Sequence, residues 1–526
     1  MKRYDIIVVG AGPAGLSAAT EAAKRGADVA VFDENERPGG QLFKQIHKFF
    51  GSKEHRAKER GFRIGEQLLS EAKEAGVHVH LNATVMGLYD KKEIMVDENG
   101  ANEHYKADAV ILACGARENF IPFKGWTLPG VMGAGAAQTM VNLHGVKPGN
   151  RVLIVGSGNV GLVVSYQLMQ AGMEVVALVD AAKRVGGYGV HAAKITRMGV
   201  PILTGHTIVE AKGTDCVESA VISEVDDRFR PISGTEQELD VDVVCVAVGL
   251  LPMAELSAMI GCETEDRGGT KPVVNEYYES SKEGIFVAGD NAGIEEASSA
   301  MITGAMAGLS ALHYLGYIED DVYEAEFTVR KESLAKLHEG MFAPSNRGRM
   351  DFTVTDEGYP FSRNLLTKGY LTDEEVSSYP GVPIGVKGIH PVIECAQNIP
   401  CNPCQTACKF GCIAVGETIT NLPCVSAEAK CTGCGMCVAS CSGLAIFLVD
   451  EDVDGVHAEI TLPYEFLPYP EIGDKGVALG RDGQVLCEAE VTKFRITKAM
   501  DKTGLLTMSV PKEFAMKARF FRKQEE

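Results

Sequence analysis

The sequence is short of positive charge, and it lacks long apolar runs. It has 51 basic against 71 acidic residues, so the 526-residue chain has a formal net charge of −20. That charge argues against nucleic acid, or an anionic membrane surface, as the main partner. No apolar run is long enough to cross a bilayer, and the N-terminal Met-Lys-Arg-Tyr enters a predicted strand without a small-residue cleavage site. We expect a cytoplasmic protein with no membrane span, built from several domains.

A glycine-rich turn between an apolar strand and an alanine-rich helix is the first stretch with chemical meaning. The strand begins at Asp5 and leads into a GxGxxG pattern. Gly10 permits a tight turn, Gly12 lets a pyrophosphate approach the backbone, and Gly15 lets helix and strand pack closely. A second apolar strand ends at Asp33, where an acid is placed to bind a ribose hydroxyl. Strand, glycines, helix and acid together predict a bound dinucleotide with its phosphates at the helix N-terminus.

The same pattern returns further along the chain, where an apolar strand leads into Gly156, Gly158 and Gly161. The distance from the first glycine to the glycine that ends the helix is equal in the two copies. The next strand ends at Asp180, and an acid there favours NAD because a 2′-phosphate would meet a negative charge. Asp180 falls one position late relative to Asp33, however, and a nearby Lys-Arg pair is able to accept a phosphate. The repeat predicts NAD, with NADP less favoured but still open.

Other strands also end in glycine turns, at Gly115, at Gly249 and at Gly289-Asp290. The last turn precedes a small-residue helix over residues 297–312 and suits contacts with ribityl hydroxyls and phosphate. As a set, these elements resemble the flavoproteins with two dinucleotide-binding domains, over roughly residues 1–325. In that family the first fingerprint binds FAD, and a second, inserted domain binds a nicotinamide nucleotide.

The resemblance implies specific contacts for both cofactors but no catalytic residue. The residues that it places at FAD are Gly10, Gly12, Pro13, Ala14, Gly15, Asp33, Glu34, Gly40, Gln41, Val85, Gly115, Gly289 and Asp290. The residues that it places at NAD are Gly156, Gly158, Asn159, Val160, Gly161, Asp180 and Gly249.

One feature of that family is absent from this sequence. Its disulfide reductases carry a redox-active CxxC or CxxxxC beside the flavin, and residues 1–325 contain no such pair. Cys114 stands alone in an apolar strand, which is typical of a core residue. Electrons must therefore enter or leave the flavin by another route.

The chain has fifteen cysteines, and ten of them lie between Cys395 and Cys441. Without a secretion signal, such a group favours metal binding over disulfides. The run Cys431-x2-Cys434-x2-Cys437-x3-Cys441 has the spacing of bacterial 4Fe–4S ferredoxins, in which three thiolates bind one cluster and the fourth binds the other. Zinc sites usually pair CxxC units across a longer gap.

The first half of the cysteine run departs from this spacing. With Cys408 as the counterpart of Cys441, two upstream cysteines fall where expected, but the third expected position is an asparagine. Cys395 fills that role if the loop bulges, whereas a competing assignment replaces it with Cys412. We favour Cys395 because Cys412 aligns with Ala445, a packing position. The predicted ligands are Cys395, Cys401, Cys404 and Cys441 for one 4Fe–4S cluster, and Cys408, Cys431, Cys434 and Cys437 for the other.

The predicted fold belongs to the α/β class. It has two Rossmann-like, three-layer domains for FAD and NAD, a small α+β domain that resembles bacterial ferredoxins, and a β-rich C-terminal extension. In the extension, Phe514, Ala518 and Phe521 predict a closing amphipathic helix. The predicted boundaries are 1–118 and 251–325 for the two parts of the FAD domain, 119–250 for the NAD domain, 326–390 for a linker, 391–447 for the ferredoxin-type domain and 448–526 for the extension.

The order of parts looks like the α subunits of heteromeric amine and amino-acid dehydrogenases, such as sarcosine oxidase, opine oxidase and dye-linked proline dehydrogenase. In that family a partner subunit with its own flavin oxidises the substrate, and the α subunit moves the electrons onward. The resemblance implies an FAD-dependent, iron–sulfur electron-transfer subunit that works with NAD or ferredoxin. Because exposed clusters of this type degrade in oxygen, we expect an anaerobe or at least a reducing cytoplasm. A stand-alone NAD(P)H:ferredoxin-type oxidoreductase is the alternative, although there the cluster module comes first. Substrate, direction of electron flow and partner identity stay open.

Overall fold

A computed structural model describes residues 1–266, 269–346, 354–355, 357–426 and 428–524 of the chain. Its contacts divide the chain into two units. The first comprises Met1–Phe49, Glu59–Asn119 and Leu250–Glu339, and the second comprises Phe50–Lys58, Phe120–Gly249 and Gly340–Glu526. Within the described ranges, no helix combines the length and the apolar character needed to cross a bilayer.

The first unit begins with a sheet that is covered on both faces. Its elements are β1 (Lys2–Val9), α1 (Pro13–Ala23), β2 (Val29–Phe32), α2 (Gly61–Glu74), β3 (His78–His80), β4 (Ala83–Tyr89), β5 (Glu93–Glu98), β6 (Ala101–Leu112) and β7 (Ala116–Glu118). β3, β2, β1 and β6 are parallel neighbours, the long β6 pairs antiparallel with β5, and β5 pairs antiparallel with β4 at the sheet edge. Ile6 and Val8 pack in one core cluster and Ile7 and Val9 in another, as the two-residue period of a strand requires.

The inserted segment in the second unit repeats this plan. Its elements are β8 (Val131–Gly133), α3 (Ala134–His144), β9 (Arg151–Val155), α4 (Asn159–Gln170), β10 (Glu174–Asp180), α5 (Gly189–Thr196), β11 (Ile202–Thr204), β12 (His206–Lys212), β13 (Ser219–Glu224), β14 (Gln237–Asp240) and β15 (Val243–Val246). β11, β10, β9, β15 and β8 form a parallel sheet, and β12, β13 and β14 form an antiparallel one. The glycine turn thus follows a central parallel strand in both copies.

The first unit is completed by the segment that follows the insertion. Its elements are β16 (Leu250–Pro252), α6 (Glu255–Met259), β17 (Thr264–Asp266), β18 (Thr270–Pro272), β19 (Ile285–Val287), α7 (Ala297–Tyr314) and α8 (Asp320–Leu337). β19 adds to the parallel sheet beside β6. α7, the small-residue helix predicted from the sequence, packs tightly on α1. Two glycines make this approach possible: a Cβ on Gly304 would overlap the main-chain oxygen of Ala14, and a Cβ on Gly308 would overlap that of Ala18.

The C-terminal segment of the second unit, Gly340–Glu526, is rich in β structure. Its elements are α9 (Arg363–Lys368), α10 (Asp373–Val376), β20 (His390–Ile393), α11 (Pro403–Ala407), β21 (Ile413–Ala414), β22 (Cys424–Val425), α12 (Met436–Ser440), β23 (Ile446–Asp450), β24 (His457–Tyr464), β25 (Lys475–Leu479), β26 (Val485–Arg495), β27 (Gly504–Pro511) and β28 (Phe520–Lys523). An antiparallel seven-stranded sheet has the order β20-β23-β24-β27-β26-β25-β28. Because β20 and β23 are paired neighbours, the cysteine-rich segment is an excursion between two strands of this sheet.

The predicted C-terminal helix is wrong. Phe520–Lys523 form the edge strand β28, in which Phe521 pairs with Ala478 of β25. The apolar spacing that predicted a helix places Ala518 and Phe521 in the core all the same, and both are fully buried. A free sheet edge satisfies the backbone N–H and C=O groups of this segment, and the sequence pattern does not reveal that such an edge is available.

Candidate cofactor sites

Two glycines of the first turn are required by the backbone itself. Gly10 follows β1 with a φ of +105°, and a Cβ there would overlap the carbonyl oxygen of Ala113. A Cβ on Gly15 would overlap the carbonyl oxygen of Gly10. Both positions therefore need glycine before any ligand is considered.

Gly12 differs because the protein leaves room for a side chain there. Its φ is −74°, which any residue can adopt, and the nearest atom to an added Cβ would be the Cα of Gly40 at 4.0 Å. Gly12 caps α1 without a side-chain hydrogen bond, and Pro13 is the first helical residue. The first turn of α1 therefore has no side-chain cap, and its N–H groups fit a phosphate of a bound dinucleotide.

Asp33 braces this turn from the end of β2. Its carboxylate accepts a hydrogen bond from Ala11 N at 2.5 Å and two from Asn35, from N and from Nδ2, both at 2.8 Å. Asp33 is buried, whereas the neighbouring Glu34 is exposed. Asp33 is thus engaged in holding the glycine turn, and Glu34 is the acid that solvent, or a ribose hydroxyl, can reach.

The loop of paired glycines after β2 crosses the same turn. Gly39 N donates to Ala11 O at 2.7 Å. A Cβ on Gly40 would lie 3.0 Å from Gly12 Cα, so the two backbones approach closely. Gln41, the next residue, is exposed. The structure therefore brings the loop and the turn together, as the proposed FAD contacts require.

The late Gly-Asp turn also reaches α1. A Cβ on Gly289 would lie 2.7 Å from the Cβ of Ala14, and Asp290 Oδ1 accepts a hydrogen bond from Glu295 N at 3.0 Å. Gly115 follows β6 with a φ of +74° and open space where its side chain would be. Val85 packs against a core cluster of the sheet.

The second turn repeats the geometry of the first. Gly156 has a φ of +114°, and a Cβ there would overlap the carbonyl oxygen of Ala247. A Cβ on Gly161 would overlap the carbonyl oxygen of Gly156. Gly158 caps α4 with a φ of −67°, and nothing lies within 4 Å of an added Cβ. The space at this helix N-terminus fits the phosphate of a second dinucleotide.

Asp180 takes the structural position of Asp33 although its sequence offset is one longer. Its Oδ2 accepts a hydrogen bond from Ser157 N at 2.7 Å, as Asp33 does from the equivalent residue of the first turn. In β10 the register slips between Val175 and Ala177, so one residue bulges out. The bulge absorbs the extra residue and accounts for the late position of the acid.

A second pair of glycines, Gly186-Gly187, is absent from the predicted contacts. Gly187 N donates to Ser157 O at 2.8 Å, which is the counterpart of the bond from Gly39. Gly186 follows Asp180 by the same number of residues as Gly39 follows Asp33. This equal spacing is visible in the sequence and identifies the second pair. Of the remaining predicted NAD contacts, Asn159 opens α4, Val160 is exposed, and Gly249 follows β15 with a φ of +101°.

All fifteen cysteines carry free thiols, and four of the predicted cluster ligands form a first thiol group. Burial raises the pKa of the Cys401 thiol, and its neighbours Cys441, Cys404 and Cys395 raise it further. Burial likewise raises the pKa of Cys404 to about 12, where Cys441 is the main neighbour and Cys408 contributes least. Cys395 and Cys441 pack with Cys401 against one core cluster and with Cys404 against another, so the four thiols lie close together.

The other four predicted ligands form a second thiol group. Burial raises the pKa of Cys437, and Cys431, Cys434 and Cys408 raise it further. Cys412 lies beside this group: burial raises its pKa to about 11, with Cys408 as the strongest neighbouring thiol. The second group therefore has four predicted ligands and one additional thiol.

Neither group has the geometry of a single-ion site. Among the described residues, no three His, Cys, Asp or Glu side chains converge as ligands of one metal ion. In a 4Fe–4S cluster each thiolate binds a different iron, so the four sulfurs surround a larger centre than one ion does. Two sets of four thiols, of which only Cys437 is buried and the others are half-buried, fit two such clusters better than a zinc site.

The environment of Cys412 bears on the choice between Cys395 and Cys412. Cys412 N donates to Cys408 Sγ at 3.2 Å, and Ala445 N donates to Cys441 Sγ at 3.4 Å. Both residues are buried. Cys412 thus has the same local role as Ala445, which the sequence alignment predicted, and this equivalence favours Cys395 as the ligand.

A buried ion cluster adjoins the first thiol group. Glu394, which precedes Cys395, accepts hydrogen bonds from Arg481 Nη2 at 2.6 Å and from Arg519 Nε at 2.5 Å. Burial would raise the pKa of Glu394, but the two guanidinium groups lower it to about 2. Glu394 is therefore shared by two buried cations, of which Arg481 also pairs with the exposed Asp373 at 2.5 Å.

Glu394→Gln is expected to lower the free energy of unfolding by about 3–5 kcal/mol, because it removes the carboxylate of the buried Arg519 and leaves the buried Arg481 with only the exposed Asp373. Urea unfolding of the full chain, followed by far-UV circular dichroism, measures the change. Glu488→Gln, at an exposed position of β26, is the matched control and should change the stability by less than about 0.5 kcal/mol. Equal stability of the two variants would contradict this prediction.

Comparison with known proteins finds a family model described as pyridine nucleotide-disulphide oxidoreductase, which matches residues 4–304. An opine oxidase subunit of Rhizobium meliloti is 33% identical over 337 residues, which cover 60% of this chain and 64% of that protein. The hydrogen cyanide synthase subunit HcnB of Pseudomonas aeruginosa is 30% identical over 356 residues, which cover 63% of this chain and 75% of that protein. The chain thus spans just under two thirds of the opine oxidase subunit.

Among solved structures, the thioredoxin reductase of T. acidophilum matches with a TM-score of 0.51 and 20% identity. The match covers 61% of this chain and 100% of that protein, and it concerns the fold alone. Together the comparisons confirm the mixed α/β fold with a Rossmann-like FAD-binding part, the class of FAD-dependent oxidoreductase and the predicted resemblance to opine oxidase subunits.

Proposed function

This chain belongs to the pyridine nucleotide-disulphide oxidoreductase family, and we propose that it is the electron-transfer subunit of a heteromeric amino-acid or secondary-amine dehydrogenase complex. In this proposal it contains FAD and two 4Fe–4S clusters and passes electrons between a partner flavoprotein and NAD or ferredoxin. The observation that carries the proposal is the close approach of cysteines that have ferredoxin-like spacing in the sequence, in a chain that also has two glycine turns of the same construction.

The chain's own residues hold the cofactors in this proposal. The open N-termini of α1 and α4, at Gly12 and Gly158, bind the pyrophosphates of FAD and of the nicotinamide nucleotide. The two thiol groups bind the clusters as thiolates. When bound, FAD and the clusters supply the exchange between hydride chemistry and single electrons.

A partner protein is proposed from the relatives. The opine oxidase relative and HcnB are both named as subunits, and their two names differ in the reaction that they state. Since related chains serve differently named enzymes, we infer that a separate flavoprotein chooses the substrate and that this chain transfers the electrons. The partner's substrate is proposed as an amino acid or a secondary amine.

An acidic electron carrier such as ferredoxin suits the surface beside the second thiol group. Lys409 and Phe410 follow Cys408 and are exposed, and Lys430, which is also exposed, precedes Cys431. The two lysines lie next to predicted ligands in a chain whose net charge is −20. Charge complementarity of this kind mainly raises the rate of association.

The same surface supports a second candidate, a stand-alone NAD(P)H:ferredoxin-type oxidoreductase. In that case electrons would pass from the nicotinamide nucleotide to the carrier without a separate substrate-oxidising protein. The equal construction of the two glycine turns favours this alternative, because it leaves the second nucleotide site as complete as the first.

An anaerobic pull-down of the tagged full chain from its native cells separates the two candidates. The purified material is analysed for flavin, iron and sulfide, and amino acids are screened for bleaching of the flavin. We expect a stoichiometric second flavoprotein, and bleaching only in its presence. A lone chain that is fully reduced by NADH and active with ferredoxin would refute the proposed complex and support the stand-alone reductase.

A further inference from the structure

Two buried cations, one in helix α5 and one directly after it, lie near the segment that contains Cys441. Lys194 is 2% exposed and Arg197 is 6% exposed. Arg197 Nη2 donates to the carbonyl oxygen of Leu444 at 3.0 Å. Val190 of the same helix packs on Gly443, where an added Cβ would lie 2.6 Å from its Cγ2. α5 therefore lies directly against the residues that follow Cys441.

These two cations have no carboxylate partner. Within the described part of the chain, neither Lys194 nor Arg197 forms a salt bridge, and Arg197 Nε is buried without a hydrogen-bond acceptor. Lys194 Nζ instead lies 3.3 Å from His191 Nδ1, which is hydrogen-bonding distance to a neutral group, and 4.2 Å from the centroid of the Tyr166 ring. Burial lowers the pKa of Lys194 to about 8, with Glu465 as the carboxylate that most opposes the change. The nearby Glu394 is already shared by Arg481 and Arg519.

Unpaired buried charges of this kind cost several kcal/mol unless an anion offsets them. The anion that the proposed function supplies is the thiolate-bound 4Fe–4S cluster of the first thiol group, which gains one further negative charge on reduction. A fixed positive charge at low dielectric stabilises the more negative, reduced form. The cations beside the second thiol group, such as Lys409 and Lys430, are exposed, so water and salt screen them.

We propose that Lys194 and Arg197 raise the reduction potential of the cluster bound by the first thiol group above that of the cluster bound by the second. This inference rests on the proposed function. An electron that enters at the second cluster then moves downhill: the second cluster is oxidised by one electron and the first is reduced by one, with no proton transferred. Helix α5 of the nucleotide-binding segment thereby becomes a positioning element for the electron path.

An anaerobic redox titration of the full, cluster-loaded chain, followed by electron paramagnetic resonance, tests this inference. In Arg197→Met and in Lys194→Met, the reduction equilibrium of one cluster is expected to shift at least about tenfold toward the oxidised form, which is ~59 mV for a one-electron couple. Arg197→Lys keeps the charge and should restore most of the potential. Lys212→Met removes an exposed cation on β12 and should leave both potentials unchanged.

The Cys395→Ala background shows which cluster responds. If that background lacks the first cluster, Arg197→Met should have no effect on the potential of the cluster that remains. A shift of the remaining cluster, or unchanged potentials in both single variants with full iron content, would overturn the inference. Lys194→Met leaves the Arg197 bond to Leu444 intact, so it decides the question if Arg197→Met fails to retain its cluster. Absence of iron from the unaltered chain would instead refute the proposed function.

Discussion

Gly12→Val is expected to give a folded chain that no longer binds FAD, whereas Gly158→Val is expected to keep FAD and lose the nicotinamide nucleotide. The reason is that neither glycine is required by the protein itself. Both have a φ that valine can adopt, −74° and −67°; a Cβ on Gly12 would make an ordinary contact with Gly40 Cα at 4.0 Å, and a Cβ on Gly158 would meet nothing within 4 Å. A valine there would occupy the position that a phosphate takes at a helix N-terminus. We expect each affinity to fall at least about 100-fold, or ~2.8 kcal/mol.

The flavin absorbance per chain after desalting measures the first effect, and anaerobic titration with NADH measures the second. Gly172→Ala is the control, because Gly172 ends α4 with a φ of +79° and open surroundings. It costs about 1 kcal/mol in backbone strain, at the end of α4 opposite to the phosphate position. Stoichiometric FAD in Gly12→Val would show that this turn does not bind the pyrophosphate.

Cys395→Ala is expected to halve the iron content from ~8 to ~4 atoms per chain, whereas Cys412→Ala is expected to retain ~8. Cys395 is one of only four thiols in the first group, so its loss leaves three ligands for that cluster. Cys412 lies beside a group that already has four, and its backbone N–H donates to Cys408 Sγ in the way that Ala445 donates to Cys441 Sγ. Iron and sulfide analysis of anaerobically purified protein measures both variants.

The two variants serve as controls for each other, since each removes one buried thiol from the same excursion. Halved iron in Cys412→Ala, with full iron in Cys395→Ala, would establish the competing ligand assignment. Full iron in both variants would mean that neither thiol is a ligand. Electron paramagnetic resonance of the reduced proteins adds a second readout, because the signal of two interacting clusters should be replaced by that of one in Cys395→Ala.

The glycine turns illustrate how far sequence reasoning reaches. The tight turn at Gly10 and the close packing at Gly15 are predictable, because a short motif contains the whole steric reason for them. The offset of Asp180 has no explanation in the sequence, because a bulge in β10 depends on how that strand pairs with β9. The glycine pair at Gly186-Gly187 is readable from its spacing, although the predicted contacts omit it.

The C-terminal tail illustrates the opposite limit. Apolar residues at helical spacing predicted a helix, and the structure has the strand β28 at the edge of a sheet. The apolar character of Ala518 and Phe521 predicts their burial correctly, but it does not predict the type of element that they form. The hydrogen-bonding partner of this segment is β25, and its availability is a property of the assembled sheet.

The sequence by itself determined the features whose physical cause lies in residues a few positions apart. These are the strand–glycine–helix turns, the ferredoxin-like cysteine spacing and the acids that end the second strands. The tertiary structure decided what depends on residues far apart in the chain. It directs the carboxylate of Asp33 to the backbone of its own glycine turn, and it buries Lys194 and Arg197 against the segment after Cys441. Burial and charge at a site are sums over all neighbours in space, and no local pattern contains those neighbours.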